Sequence, residues 1–205
     1  MASPFDRIGP YGNGEPPVRS HGNGDPPVRL FVVSDTHGDQ TCLSAGLSRA
    51  QTCPVHAVVH LGDMGSDGWP DPVPGLGPLM AVAGNTDPAG RRLPSVRVFD
   101  AGGLRFVCSH GHLQQVKRTL SLLPELTARC QADVVLYGHT HRFRLDWVRT
   151  EDGRAVLLAN PGSAFGFGLG ASVGVLLLNV QGRTLTGIRI TGQTETALEI
   201  GSFSD

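Results

Sequence analysis

Between Leu30 and Leu178 the chain alternates short, continuous apolar runs with small polar clusters. Leu30-Phe31-Val32-Val33 is the first run. Ala57-Val58-Val59-His60-Leu61, Leu79-Met80-Ala81-Val82-Ala83 and Leu104-Arg105-Phe106-Val107-Cys108 follow it. Asp133-Val134-Val135-Leu136-Tyr137, Ala155-Val156-Leu157-Leu158-Ala159 and Val173-Gly174-Val175-Leu176-Leu177-Leu178 complete the series. Runs of this length without internal alternation predict strands buried on both faces. Two stretches have helical spacing instead. In 40–52 it is carried by Leu43, Leu47 and Ala50; in 113–131 by Val116, Leu120 and Leu123, with Pro124 ending one helix or opening the next turn. Near the end, Val173–Val180 and Thr184–Thr191 flank Gln181-Gly182-Arg183, which predicts a hairpin. Strands mixed with helices early and strand-rich sequence late predict an α/β fold of two packed sheets with helices on their outer faces.

The first 28 residues follow a different pattern. Gly12-Asn13-Gly14-Glu15-Pro16-Pro17-Val18-Arg19 recurs ten residues later as Gly22-Asn23-Gly24-Asp25-Pro26-Pro27-Val28-Arg29. Such a segment has too little apolar surface to offset its ordering entropy. Residues 1–28 therefore read as a flexible extension and 29–205 as one domain. A partner-binding role for the duplication is the less economical reading.

Composition narrows the function classes. Seventeen basic and 18 acidic residues leave a net charge of -1, so no long-range field gathers nucleic acid or anionic membrane. An Arg–aromatic stacking pattern is also missing, which argues against nucleic acid polymers as substrates. The four cysteines, Cys42, Cys53, Cys108 and Cys130, are scattered and read as reduced thiols. No apolar run approaches the roughly 18–20 residues of a membrane span, and the N-terminus lacks the apolar stretch of a secretory signal. The expectation is a soluble, cytoplasmic protein.

The polar clusters at the ends of the runs carry the candidate chemistry. They are Ser34-Asp35-Thr36-His37-Gly38, Gly62-Asp63, Gly84-Asn85-Thr86-Asp87, Ser109-His110-Gly111-His112, Gly138-His139-Thr140-His141 and Asn160-Pro161-Gly162-Ser163. Ligands of open α/β sheets sit beyond the carboxyl ends of strands, where several such clusters can converge. Carboxylate, imidazole and amide donors without thiolate suit Mn²⁺, Fe or Zn²⁺. A lone Asp-x-His is more often structural. The ordered set is different, since a structural reading must explain each strand end separately, and five of the eight histidines fall in these clusters.

With these motifs assembled, the chain resembles the calcineurin-like metallophosphoesterases, and most closely the small bacterial and archaeal phosphodiesterases of the YfcE type. The resemblance covers about residues 30–190. It implies a four-layer αββα sandwich of two mixed sheets with a dinuclear metal site at the strand ends. It also implies that Asp35, His37, Asp63 and His141 hold one divalent ion and Asp63, Asn85, His110 and His139 the other, with Asp63 bridging. Mn²⁺ is the expected metal, with Fe, Ni or Zn as alternatives. Two such ions about 3.5–4 Å apart can polarise a phosphoryl group and lower the pKa of a shared water, so the expected reaction is attack of the resulting hydroxide on a small phosphodiester.

One position departs from the wider superfamily. Thr86 stands where many members carry a histidine thought to protonate the leaving group. YfcE-type members also lack that histidine. His112 then becomes the candidate acid or a supporting residue, while Asp87 and Thr86 are expected to orient the ligands. His56 and His60, inside an apolar run, read as structural or edge residues, and His21 as solvated. Phe165 and Phe167 read as core or as a pocket wall, and the Pro-rich segment 64–78 as a rim. A protein-binding scaffold of the Vps29 type is the alternative from another class; a phosphomonoesterase or protein phosphatase differs only in substrate. The native substrate and the oligomeric state stay open, a homodimer included.

Overall fold

The computed structural model describes residues 26–165 and 172–203. Each apolar run named above contributes a strand. In chain order these are β1 (Val28–Val33), β2 (Ala57–His60), β3 (Leu79–Ala81), β5 (Leu104–Ser109), β6 (Val134–Tyr137), β8 (Ala155–Pro161) and β9 (Val175–Gln181). The intervening and later strands are β4 (Val96–Ala101), β7 (Phe143–Arg149), β10 (Thr184–Thr191) and β11 (Thr194–Ser202); the helices are α1 (Leu43–Thr52) and α2 (Leu122–Cys130). One sheet has the order β11-β10-β9-β1-β2-β3 and the other β4-β5-β6-β8-β7. Both are mixed. The triplets β1-β2-β3 and β5-β6-β8 are parallel, and the remaining pairs antiparallel.

Strand β1 shows why its run lacks alternation. Val28, Leu30 and Val32 enter the layer between the sheets, among Val59, Phe106, Leu136 and Leu178. Phe31 and Val33 face the opposite way, toward Leu43 and Ala45 of α1. The second sheet repeats this, with Val107, Val135 and Leu158 facing Leu123 and Leu126 of α2. The order is therefore helix, sheet, sheet, helix. Burying each of these side chains contributes about 1.5–3 kcal/mol, and the cluster between the sheets is the largest of the three.

Some expectations are corrected. Val28, assigned above to the extension, is fully buried in β1 and pairs with Val180. Residues 1–25, with His21, lie outside the described residues, as does Phe167. The helix expected over 113–131 exists only from Leu122; 113–121 is a series of turns. Gln115 there has φ 54°, which a right-handed helix cannot contain. Pro124 lies in the first turn of α2, where a missing N–H costs no intrahelical bond. The segment 64–78 is more than a rim, because Met64, Trp69, Val73 and Leu76 are buried and extend the packing around α1.

Candidate metal centre

The polar clusters gather at the carboxyl ends of the two parallel triplets, and an unusual backbone aims them. Among the described residues eight non-glycine residues have positive φ, and Asp35, His37, Asp63, His139 and His141 are five of them, at 47–65°. Each such residue costs on the order of 1 kcal/mol and persists only when its surroundings enforce it. Here they do. Asp35 N donates to Gly62 O at 3.0 Å and His37 N to Asp63 O at 2.9 Å, which ties the first two clusters together. His139 N donates to Asp35 Oδ2 at 3.1 Å, and Ser163 Oγ donates to Asp35 O at 3.0 Å. Two glycines are required by close approach. A Cβ on Gly84 would lie 2.1 Å from Asp63 Oδ1, and one on Gly138 2.0 Å from Ser34 Oγ.

The side chains so aimed form two groups whose donor atoms lie within 4.8 Å of one another in each: Asp35, His37 and His141, and Asp63, His110 and His139. Asp63 stands between them. Its Oδ2 is 3.4 Å from His110 Nε2 and 4.0 Å from His37 Nε2, while its Oδ1 accepts a hydrogen bond from Thr86 N at 2.9 Å. His110 Nε2 also lies 3.1 Å from both Asn85 Oδ1 and His139 Nδ1. All seven residues expected as ligands are thus brought to one place.

Their arrangement fits divalent cations. His110 Nδ1 is 2.7 Å from the Leu61 carbonyl, which can only accept, so that nitrogen carries the proton and Nε2 is turned to the site. Nε2 there meets a carboxylate oxygen, an amide oxygen and a second imidazole nitrogen, the donor types that suit a divalent cation. Asp35 Oδ1 adds a buried oxygen with no hydrogen bond, 3.1 Å from His141 Nε2. The titration of these groups reflects the same crowding. Burial disfavours the charged form of His110, yet its hydrogen bond to Asp63 and the charges of Asp35 and Asp63 outweigh it and raise its pKa. Burial likewise works against ionised Asp35, but His141, His110 and Ser34 hold it below the usual carboxylate range. His139 is pushed down to about 4 by burial and by the charges of His110 and Lys117.

The supporting residues divide as follows. Asp87 does not face the donors. It accepts backbone N–H groups from Asp63 (2.8 Å), Gly84 (2.8 Å) and Met64 (2.7 Å), locking two strand ends together. Thr86 supports Asp63 through its main chain. His112 is half-buried, with its ring centroid 5.4 Å from His110 and 6.1 Å from His139; its Nδ1 is buried without a hydrogen-bond partner. Phe165 is exposed at the rim, edge-on to His37 at 6.3 Å. His56 accepts from Arg29 N, away from the centre.

His60 lies deeper than its place in an apolar run suggests. It is fully buried, accepts from Gly62 N through Nδ1 at 3.2 Å, and so donates through Nε2 to Thr36 Oγ1 at 3.0 Å. Burial, opposed by the charges of Asp35 and Asp63, pushes it down to about 3, and it stays neutral. Asn160 is a further brace. Its Nδ2 donates to Gly138 O and Thr140 Oγ1, at 3.0 and 3.1 Å, and steadies the loop that carries His139 and His141. Its position at a strand end, shared with the donors, is the one sequence signal that points to it.

No helix among the described residues is long and apolar enough to cross a membrane. Comparison with known proteins agrees with the site. The calcineurin-like phosphoesterase superfamily domain model matches residues 28–183. The probable metallophosphoesterase YsnB of Bacillus subtilis (strain 168) is 30% identical over 134 residues, 65% of this chain and 73% of that protein. Among solved structures, Vps29 of Entamoeba histolytica complexed with Zn²⁺ aligns with a TM-score of 0.63 at 19% identity, covering 83% of this chain and 97% of that one. The phosphoesterase YfcE of E. coli aligns at 0.56 and 20% identity, covering 85% of this chain and 100% of that one. At these identities the two structures speak for the fold, and the match to the domain model decides the family. The chain belongs to the calcineurin-like phosphoesterase superfamily.

Proposed function

We propose that the protein hydrolyses a small phosphodiester at a centre of two divalent cations, with Mn²⁺ as the working metal. Asp35, His37, Asp63 and His141 would hold one ion and Asp63, Asn85, His110 and His139 the other. The observation that carries this reading is the position of Asp63 Oδ2, 3.4 Å from His110 Nε2 of one donor group and 4.0 Å from His37 Nε2 of the other. When bound, such a pair supplies Lewis-acid polarisation of a phosphoryl group and a water acidic enough to react near neutral pH.

The residues contribute geometry around that chemistry. The Leu61 carbonyl fixes the His110 tautomer, and Thr86 N and Asp87 hold the Asp63 loop in place. Thr86 can neither donate nor accept a proton as an imidazole does. Proton delivery to the leaving group then falls to His112, whose ring stands beside His110 and His139. Esters with acidic leaving groups should therefore react faster than simple alkyl esters.

A Mn²⁺-supplemented assay comparing bis-(p-nitrophenyl) phosphate with p-nitrophenyl phosphate tests the reading. Diester hydrolysis exceeding monoester hydrolysis and abolished by a chelator is the expected result. Preference for the monoester would move the assignment to a phosphomonoesterase. Inactivity with Mn²⁺, Fe²⁺, Ni²⁺ and Zn²⁺ alike would favour a protein-binding scaffold.

A further inference from the structure

A groove of about 650 Å³ opens beside His141, between the turn segment 116–120 and the start of β7. Four of its lining residues are cationic, Lys117, Arg118, Arg142 and Arg144, and none is a carboxylate. Arg144 is engaged by Asp146 at 2.8 Å. No carboxylate among the described residues forms an ion pair with Lys117, Arg118 or Arg142. In a chain whose net charge is only -1, three uncompensated cations around one groove form a local exception.

Two further observations give the groove a direction. Tyr137 lines it and is fully buried, yet its hydroxyl has no hydrogen-bond partner. A buried hydroxyl left unpaired has lost its water without replacement, a loss that an acceptor oxygen arriving from outside would recover. The groove also borders the metal centre, because His141, one of the seven donors, lines it. Thr140, between the donors His139 and His141 in the chain, lines it as well. A volume in this range suits a small molecule.

We infer that this groove binds a second anionic group of the substrate, a phosphate or carboxylate carried a few bonds from the phosphorus held at the metal centre. Arg118 and Arg142 offer planar, charge-assisted donors to its oxygens, and the Tyr137 hydroxyl completes the set. The substrate class is thus narrowed to phosphoesters with two anionic ends. The inference rests on the phosphoesterase reading above but concerns binding, so it is testable without turnover.

The test is calorimetric titration of the full chain, with Mn²⁺, using a ladder of alkane-1,ω-diol bisphosphates from ethane to hexane, each against the n-alkyl monophosphate of equal length. A parallel ladder of ω-carboxyalkyl phosphates distinguishes carboxylate from phosphate. At least one two-headed ligand should bind about tenfold more tightly than its single-headed counterpart, the scale of one charge-assisted contact. That ratio should fall to about one in Arg118→Gln/Arg142→Gln, and Tyr137→Phe should lower it several-fold; far-UV spectra matching the parent establish folding of both variants. A ratio near one at every length, or a ratio that survives the double substitution, would overturn the inference. An Arg-dependent ratio in a chain that hydrolyses nothing would keep the groove and remove the diesterase reading. Hydrolysis without the ratio would do the reverse.

Discussion

His110 and His37 both lie within 4.0 Å of Asp63 Oδ2, and the protein holds them differently. The His110 side chain is 0% exposed, with Nδ1 pinned by the Leu61 carbonyl at 2.7 Å. The His37 side chain is 27% exposed, and one of its ring neighbours is Phe165 on the rim. The contrast extends to each group. The inner one has Asp63 fixed by Thr86 N and, through its loop, by Asp87. The outer one keeps Asp35 buried, but His141, like His37, reaches toward solvent. Donors already held in place lose little entropy when they bind, so the inner group should take its cation first and more tightly. The outer group is left more accessible to exchange and to substrate.

Removing the shared residue breaks both groups at once. Asp63→Ala should lower diester hydrolysis by on the order of 10³-fold or more, and metal analysis after gel filtration should find both ions depleted. The next test separates the groups. His110→Ala should weaken the tighter Mn²⁺ binding step by at least about 10–100-fold, whereas His37→Ala should weaken only the looser one. Calorimetric metal titration reads the two steps directly, and equal losses in both variants would erase the distinction.

Smaller effects probe the supports. Asp87→Ala strands three backbone N–H groups. It should cost about 1–3 kcal/mol of stability in denaturant titration, together with a loss of inner-site affinity. The last test, with no effect near neutral pH, concerns His60, neutral in the fold and pushed down to about 3 from an ordinary 6.5. Between those values the unfolded chain binds a proton that the folded chain excludes, so stability falls as pH drops through that window. In metal-free protein, His60→Gln should flatten the dependence by at most about 1.4 kcal/mol per pH unit. An unchanged slope would mean that His60 titrates in the fold.

The seven donors were legible because each closes an apolar run, and a parallel strand buried on both faces must release its polar residues at its end. The backbone that aims them was not legible. Asp and His adopt positive φ more readily than most residues, but that tendency does not single out Asp35, His37, Asp63, His139 and His141, where positive φ is imposed by bonds between loops far apart in sequence, such as His139 N to Asp35 Oδ2. Strands β7 and β11 escaped for another reason. The half-exposed Phe143–Arg149 alternates polar and apolar residues against one sheet face, and Thr194–Ser202 is mostly exposed, so neither forms an apolar run. The depth of His60 and the orphaned hydroxyl of Tyr137 depend on tertiary packing, and a run of apolar neighbours predicts burial without naming a partner.

The central claim is that Asp63 joins two cations in one centre. Electron paramagnetic resonance of the chain titrated with Mn²⁺ tests it most directly. Two ions per chain and a broadened spectrum of spin-coupled Mn²⁺ are expected, with coupling lost in Asp63→Ala. A single six-line spectrum saturating at one ion per chain, or coupling that persists in Asp63→Ala, would contradict it.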